Sequence, residues 1–219
     1  MVVHKRAGGF VASIVLTGLS QNVSGQAARR PAIIVLVYDY AGVSADTMRR
    51  ASESVIRIYR DTGVDIEWID PLVDRRYSMI NPTSNSLRIF AVQIMIRPRK
   101  PSSGPPSAPS SVMATTPAAG ESGGTLSVFY DQVARVARRY KHPLDDILAV
   151  AIAHEMGHVL LPYPAHSTTG IMRAEWDGDD LRHLASESLR FTPSQASPIR
   201  SKLTSCCGWD SGTLGREKP

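Results

Sequence analysis

Residues 154–158 read His154-Glu155-Met156-Gly157-His158, an H-E-x-x-H pattern. The stretch before it places Ile147, Val150, Ala151 and His154 at helical spacing, with His158 continuing the same face. A helix repeats about every 3.6 residues, so positions i and i+4 share a face. Two imidazoles at that spacing can bind one zinc ion, and the Glu between them can take a proton from a metal-bound water. A shuffled chain of this composition would contain the pattern about 0.005 times. The motif therefore outweighs chance, and its flanks decide how it is used. His142-Pro143 opens the helix, with Pro expected at the first helical position. Pro162 and Pro164 close it near Leu161.

Upstream, Ala32 to Tyr38 is a β-branched apolar run and reads as a buried strand. Ser44 suits the N-cap of a helix over Ala45 to Thr62, with Met48, Ala51, Val55, Ile58 and Tyr59 inward and Gly63 ending it. Val64 to Ile69 alternates apolar and polar and predicts a second strand. Leu87 to Ile96 predicts a third. Arg97 to Gly124, rich in Pro, Ser, Gly and Ala, reads as a long surface loop, with a substrate-facing flap as the alternative. Thr125 to Tyr130 predicts a fourth strand, and Leu126 to Tyr130 is the candidate edge for pairing with an extended substrate. Asp131 is the expected cap of a helix whose inner face carries Val133, Val136, Ala137 and Tyr140. Its arginines read as a solvated face.

Downstream, a catalytic zinc needs a third protein ligand and keeps its fourth position for water. His166 follows the helix-breaking prolines, where the chain can turn back toward the metal. Glu175, Glu187 and His183 are the rivals, read more simply as surface residues of the next helix. His142 belongs to a helix boundary. Beyond these, Asp179 or Asp180 is expected to cap a short helix holding Leu181, Leu184 and Leu189. Thr192-Pro193-Ser194-Gln195 has capping-box spacing, and Pro198 argues against a long helix there.

His154-Glu155-x-x-His158, the downstream His166 and then Gly170-Ile171-Met172 resemble the metzincins, a clan of zinc-dependent endopeptidases with H-E-x-x-H-x-x-G-x-x-H and a Met-turn. The run from His166 to Trp176 looks like secreted bacterial proteins of the minimal metzincin-like type. The resemblance implies an α+β fold: a metzincin-like zincin with a mixed twisted sheet, an active-site helix and a small C-terminal helical subdomain. It implies Zn2+ held by His154, His158 and His166, Glu155 as general base, and Met172 as an apolar floor beneath the metal. The chain departs from the pattern in three places. Leu161 stands at the family's glycine and Pro164 at its third His, so the turn to His166 must be built differently. Ala174 stands where many members carry a Tyr two residues after the Met-turn methionine, leaving Tyr163 or a backbone N–H as the substitute.

The 219 residues, 42% hydrophobic and 21% charged, fit one globular domain. The start of the chain reads as a secretory signal peptide over residues 1–27. His4-Lys5-Arg6 supplies its positive end, Ala7 to Leu19 its apolar run, and Gly25-Gln26-Ala27 its cleavage site. A catalytic domain over 28–205 and a flexible tail over 206–219 follow. No prodomain is expected between signal and first strand. Loss of Lys5 and Arg6 would lower the formal charge from +5 by two. No dense basic run is interleaved with aromatics, so nucleic acid is not an expected partner. Nothing after the signal approaches a membrane span. Cys206 and Cys207 are adjacent and form no disulfide framework.

These observations predict a secreted or periplasmic bacterial zinc metalloendopeptidase, monomeric, that hydrolyses protein or peptide substrates with a zinc-activated water. The alternatives are a non-catalytic secreted zinc-binding protein and a zinc hydrolase of a non-peptide amide.

Overall fold

The computed structural model describes residues 30–75, 77, 90–98, 113–182 and 189–207. The expected signal segment, the start of the third strand, His183, Leu184, Glu187 and the tail from Gly208 lie outside the described residues. The elements are β1 (Ala32–Asp39), α1 (Ala45–Asp61), β2 (Asp65–Ile69), β3 (Phe90–Arg97), β4 (Ala114–Gly120), β5 (Gly123–Phe129), α2 (Tyr130–Tyr140), α3 (Leu144–Leu160), α4 (Gly178–Arg182) and α5 (Pro193–Cys207).

The strands form one mixed sheet in the order β2-β1-β3-β5-β4. β1, β2, β3 and β5 run parallel, and β4 is antiparallel to β5. Register places Ile33, Val35 and Val37 beside Phe90, Val92 and Ile94, and Ile94 and Ile96 beside Leu126 and Val128. All of these are buried, so one sheet face is a continuous β-branched and aliphatic surface. α1 offers it Ala51, Val55 and Tyr59, and starts where the Ser44 hydroxyl accepts from the Thr47 N–H.

α3 is buried from Ile147 to Leu160 at every position but His158. A helix apolar all round belongs inside a protein, and its fully buried Ile147, Leu148, Ile152 and Met156 contribute about 1.5–3 kcal/mol each. The Tyr59 hydroxyl donates to the Ala153 carbonyl over 3.0 Å, tying α1 to the turn before His154. Among the described residues, the motif therefore sits on the most enclosed helix. Among the described residues, no helix is long and apolar enough to cross a membrane.

Several sequence expectations need correction. Leu126 to Phe129 is an interior strand between β3 and β4, and Tyr130 already opens α2. The edge is β4, which lies inside the stretch that reads as a loop. Ala114-Thr115-Thr116-Pro117-Ala118-Ala119-Gly120 has no apolar alternation, and proline is confined to edges and bulges. Here both conditions hold, since the register shifts between Thr115 and Ala118 and leaves Thr116 and Pro117 opposite Leu126. α2 is capped at Phe129, with Asp131 in its first turn. Pro143 is the N-cap of α3, one position before the expected N1. α4 is capped by Asp177, whose carboxylate accepts from the N–H groups of Asp179 and Asp180. α5 runs 15 residues with Pro198 inside it. Ile199 and Leu203 are fully buried on its inner face, and that packing outweighs the local cost of the proline.

Candidate metal centre

His154 and His158 are one turn apart on α3, and their Nε2 atoms lie 3.1 Å apart. His166 joins them, its ring centroid 5.4 Å from that of His154 and 4.7 Å from that of His158. Ligand nitrogens of all three fall within 4.8 Å of one another. A tetrahedral zinc with bonds of about 2.0–2.1 Å spaces its nitrogens about 3.3 Å apart. The two helical imidazoles thus already have the spacing that one shared ion requires, and the three donors fit a metal. Among the described residues, no other group of His, Cys, Asp and Glu side chains is gathered this way. Glu175 is exposed and lines the same cleft without joining the cluster, and His142 stays at the α2–α3 boundary.

The chain reaches His166 without the glycine of the resembling family. Leu161 at that position is extended, at φ −91 and ψ 148, and its N–H donates to the Gly157 carbonyl over 2.8 Å. Pro162, Tyr163 and Pro164 then pass through solvent, with the Tyr163–Pro164 peptide cis. The return is held from the other side. The Ser167 N–H donates to the Met172 carbonyl over 2.9 Å, and Gln195 Nε2 donates to the Ser167 hydroxyl over 2.9 Å. Gln195 Oε1 also accepts from the Thr192 N–H at 2.9 Å, so half of the expected capping box of α5 steadies the loop that carries His166.

The residues after His166 orient His154. Its Nδ1 lies 2.8 Å from the Ile171 carbonyl, which accepts that proton and leaves Nε2 bare for a metal. Trp176 Nε1 donates to the same carbonyl over 3.2 Å, and its ring meets the His154 ring edge-on at 5.3 Å. Gly170 turns the chain here at φ +74, where a side chain would be strained and a Cβ would lie 2.5 Å from the Arg190 carbonyl. Met172 follows, fully buried. Its sulfur packs on Gly157, where an added Cβ would come within 2.4 Å of it.

Glu155 is buried, and its Oε2 accepts from the Thr116 hydroxyl of β4 over 2.6 Å. Burial pushes its carboxyl above the usual range, and the Thr116 bond works against that. Burial pushes His158 down to about 4, helped by repulsion from His154 and His166. His154 is lowered too, by burial first, and its bond to Ile171 works against that. Without a metal, both helical imidazoles are therefore neutral at pH 7, the form that ligates.

The cluster opens on a cleft of about 510 Å3. Met113 and Ala114 before and on β4 form one wall, Val136, Arg139 and Tyr140 of α2 another, and Ala174 to Trp176 a third. α2 therefore contributes more than a solvated face. Ala174 offers no hydroxyl, and Tyr163, 98% exposed, stands in solvent outside the cleft. Sequence reasoning missed Thr116, Trp176 and the packing role of Gly157.

No protein-family model matches the chain, and no curated protein does. Among solved structures it is similar in fold to a zinc-dependent peptidase from Methanocorpusculum labreanum. The two share 16% identity with a TM-score of 0.51, over 76% of this chain and 99% of that one. At that identity the likeness is one of fold.

Proposed function

We propose that this chain is a zinc-dependent endopeptidase of metzincin-like type, acting as a monomer on protein or peptide substrates. The observation that carries the reading is the convergence of three imidazoles next to a buried carboxylate in an open cleft. The fold shared with a zinc-dependent peptidase supports it. His154, His158 and His166 would hold the ion, and Met172 would floor the site. When bound, zinc supplies Lewis acidity, lowering the pKa of water and polarising a carbonyl oxygen. Glu155 takes the proton of the attacking water and passes it to the leaving amine. A carboxyl raised by burial is suited to both halves of that transfer.

A zinc-binding protein without activity has no use for a buried base beside the metal, which favours catalysis. A non-peptide amide remains the second substrate class. Glu155→Gln should retain zinc and lose nearly all turnover of denatured protein substrates, because an amide cannot serve as the base. Chelation should abolish wild-type turnover reversibly. Full activity in Glu155→Gln would sink the mechanism. Turnover of non-peptide amides alone would move the substrate class.

We further propose export to the periplasm or medium, supported by the signal-like pattern of residues 1–27. N-terminal sequencing of recovered protein should begin near Ala28. An intact Met1 on cytosolic protein would refute export.

A further inference from the structure

The bond from β4 to the active-site helix has its own chemistry. Thr116 Oγ1 lies 2.6 Å from Glu155 Oε2 and 3.1 Å from the backbone carbonyl of the same residue. One hydroxyl thus touches both ends of Glu155, and the carboxylate contact is as short as a charge-assisted O–H···O bond. The side chain that makes it is stiff, since β-branching restricts χ1. The backbone beneath it is a bulge, with Thr116 and Pro117 together facing Leu126. Bulges beside functional sites re-aim side chains. Pro117 fixes its own φ and restricts Thr116 to extended geometry.

We propose that Thr116 is a positioning residue for Glu155: its hydroxyl, delivered by the bulge in the edge strand, pins Oε2 so that Oε1 carries the proton. The inference rests on the peptidase reading for its kinetic consequence, though not for its geometry. In the reaction, water gives one proton to Oε1 and its oxygen bonds to the substrate carbonyl carbon. The C–N bond then breaks, the same proton passes to the amine nitrogen, and Glu155 is ionised again. Thr116 gains and loses nothing. It holds the carboxylate at one angle through both transfers, and a misplacement of about 1 Å can cost about 100-fold in rate.

The test compares zinc-loaded wild type, Thr116→Val and Thr116→Ser. Valine keeps the branched shape and removes the hydroxyl; serine keeps the hydroxyl. In Thr116→Val, kcat should fall about 10- to 100-fold with KM changed less than about twofold, in folded protein at full zinc content. Thr116→Ser should recover most of the loss. Crystal structures of the metal-free proteins supply a second readout. The Glu155 carboxylate should leave its wild-type position in Thr116→Val and keep it in Thr116→Ser. Wild-type kcat in Thr116→Val, failure of serine to rescue, or an unmoved Glu155 would each overturn the proposal. A wild-type protein with no hydrolytic activity would sink the peptidase reading instead, and the crystallographic comparison would then decide the role of Thr116 alone.

Discussion

Gly157 looks like filler between Met156 and His158, yet it sets how closely the turn carrying Met172 approaches α3. A Cβ there would lie 2.4 Å from Met172 Sδ and 3.1 Å from Phe191 Cε1, and Met172 has no exposed surface into which to retreat. Gly157→Ala should gain up to about 1 kcal/mol of helix propensity. Overpacking against an enclosed neighbour costs about 1–3 kcal/mol, so the variant should be less stable overall. In a Met172→Ala background the two contacts with Met172 are removed and only the 3.1 Å approach to Phe191 remains, so the same change should cost much less. Equal effects in both backgrounds, measured by denaturant unfolding, would show that Met172 is not what Gly157 accommodates. At this scale, legibility followed sequence distance. His154, Glu155 and His158 are readable because one helical turn fixes their relation. His166, eight residues beyond, is readable from the prolines that force a turn. Thr116 meets Glu155 only through the sheet, 39 residues away in sequence, and nothing local to either residue signals it. Trp176 sits in plain view, but its use as a donor to the Ile171 carbonyl depends on where His154 points.

Elements with strong periodicity were legible to within a residue or two. α1 appears as Ala45–Asp61 with its Ser44 cap because burial of one face writes a pattern into the chain, and β1 as Ala32–Asp39 because a continuous β-branched apolar run marks a buried strand. The two elements that defied the sequence share a cause. β4 is built from small and polar residues with a proline, and α5 carries Pro198 in its interior. In each, local propensity points away from the structure and tertiary contact overrides it. β4 is held by pairing with β5 along one side, and α5 by Ile199 and Leu203 in the core. α5 also returns a benefit to the site's main helix. Lys202 Nζ donates to the Val159 carbonyl over 2.7 Å, satisfying one of the last carbonyls of α3 with a cation at its negative end. Sheet order is a further step removed. A parallel strand and an edge strand carry no distinct signature when both lie near small residues, so the exchange of β5 and β4 between interior and edge could not be foreseen.

For the whole molecule, the candidate metal site makes stability depend on pH in a definite direction. The chain keeps His154 and His158 neutral inside α3, with His158 lowered to about 4 and His154 lowered as well, each by burial first. An unfolded chain returns both to about 6.5. Above that value neither state takes up protons, and the histidines add no pH dependence. As pH falls below about 6.5 the unfolded state binds protons that the folded state refuses, so metal-free protein should lose stability down to about 4. Glu155 acts in the opposite sense. Its raised pKa makes the folded state the better proton binder in moderate acid, which offsets part of the loss. Asp146, raised by burial, also offsets part of it, and Asp46, held low by Arg49 and Arg50, adds to it, so the fall expected from the histidines is read most directly by removing His158. Zinc sharpens the fall, because a ligated imidazole cannot be protonated and bound metal stabilises by about 2.7 kcal/mol at 100 times its dissociation constant. The Tm of metal-free protein should therefore decline between pH 7 and about 4.5, and the increment on adding zinc should shrink over the same range. His158→Asn should flatten the metal-free decline, since it removes the group with the larger resolved shift. A metal-free Tm that is level across that range would mean that the folded chain does not hold the two helical imidazoles neutral, and a zinc increment that does not change with pH would mean that imidazoles are not the groups that take the metal.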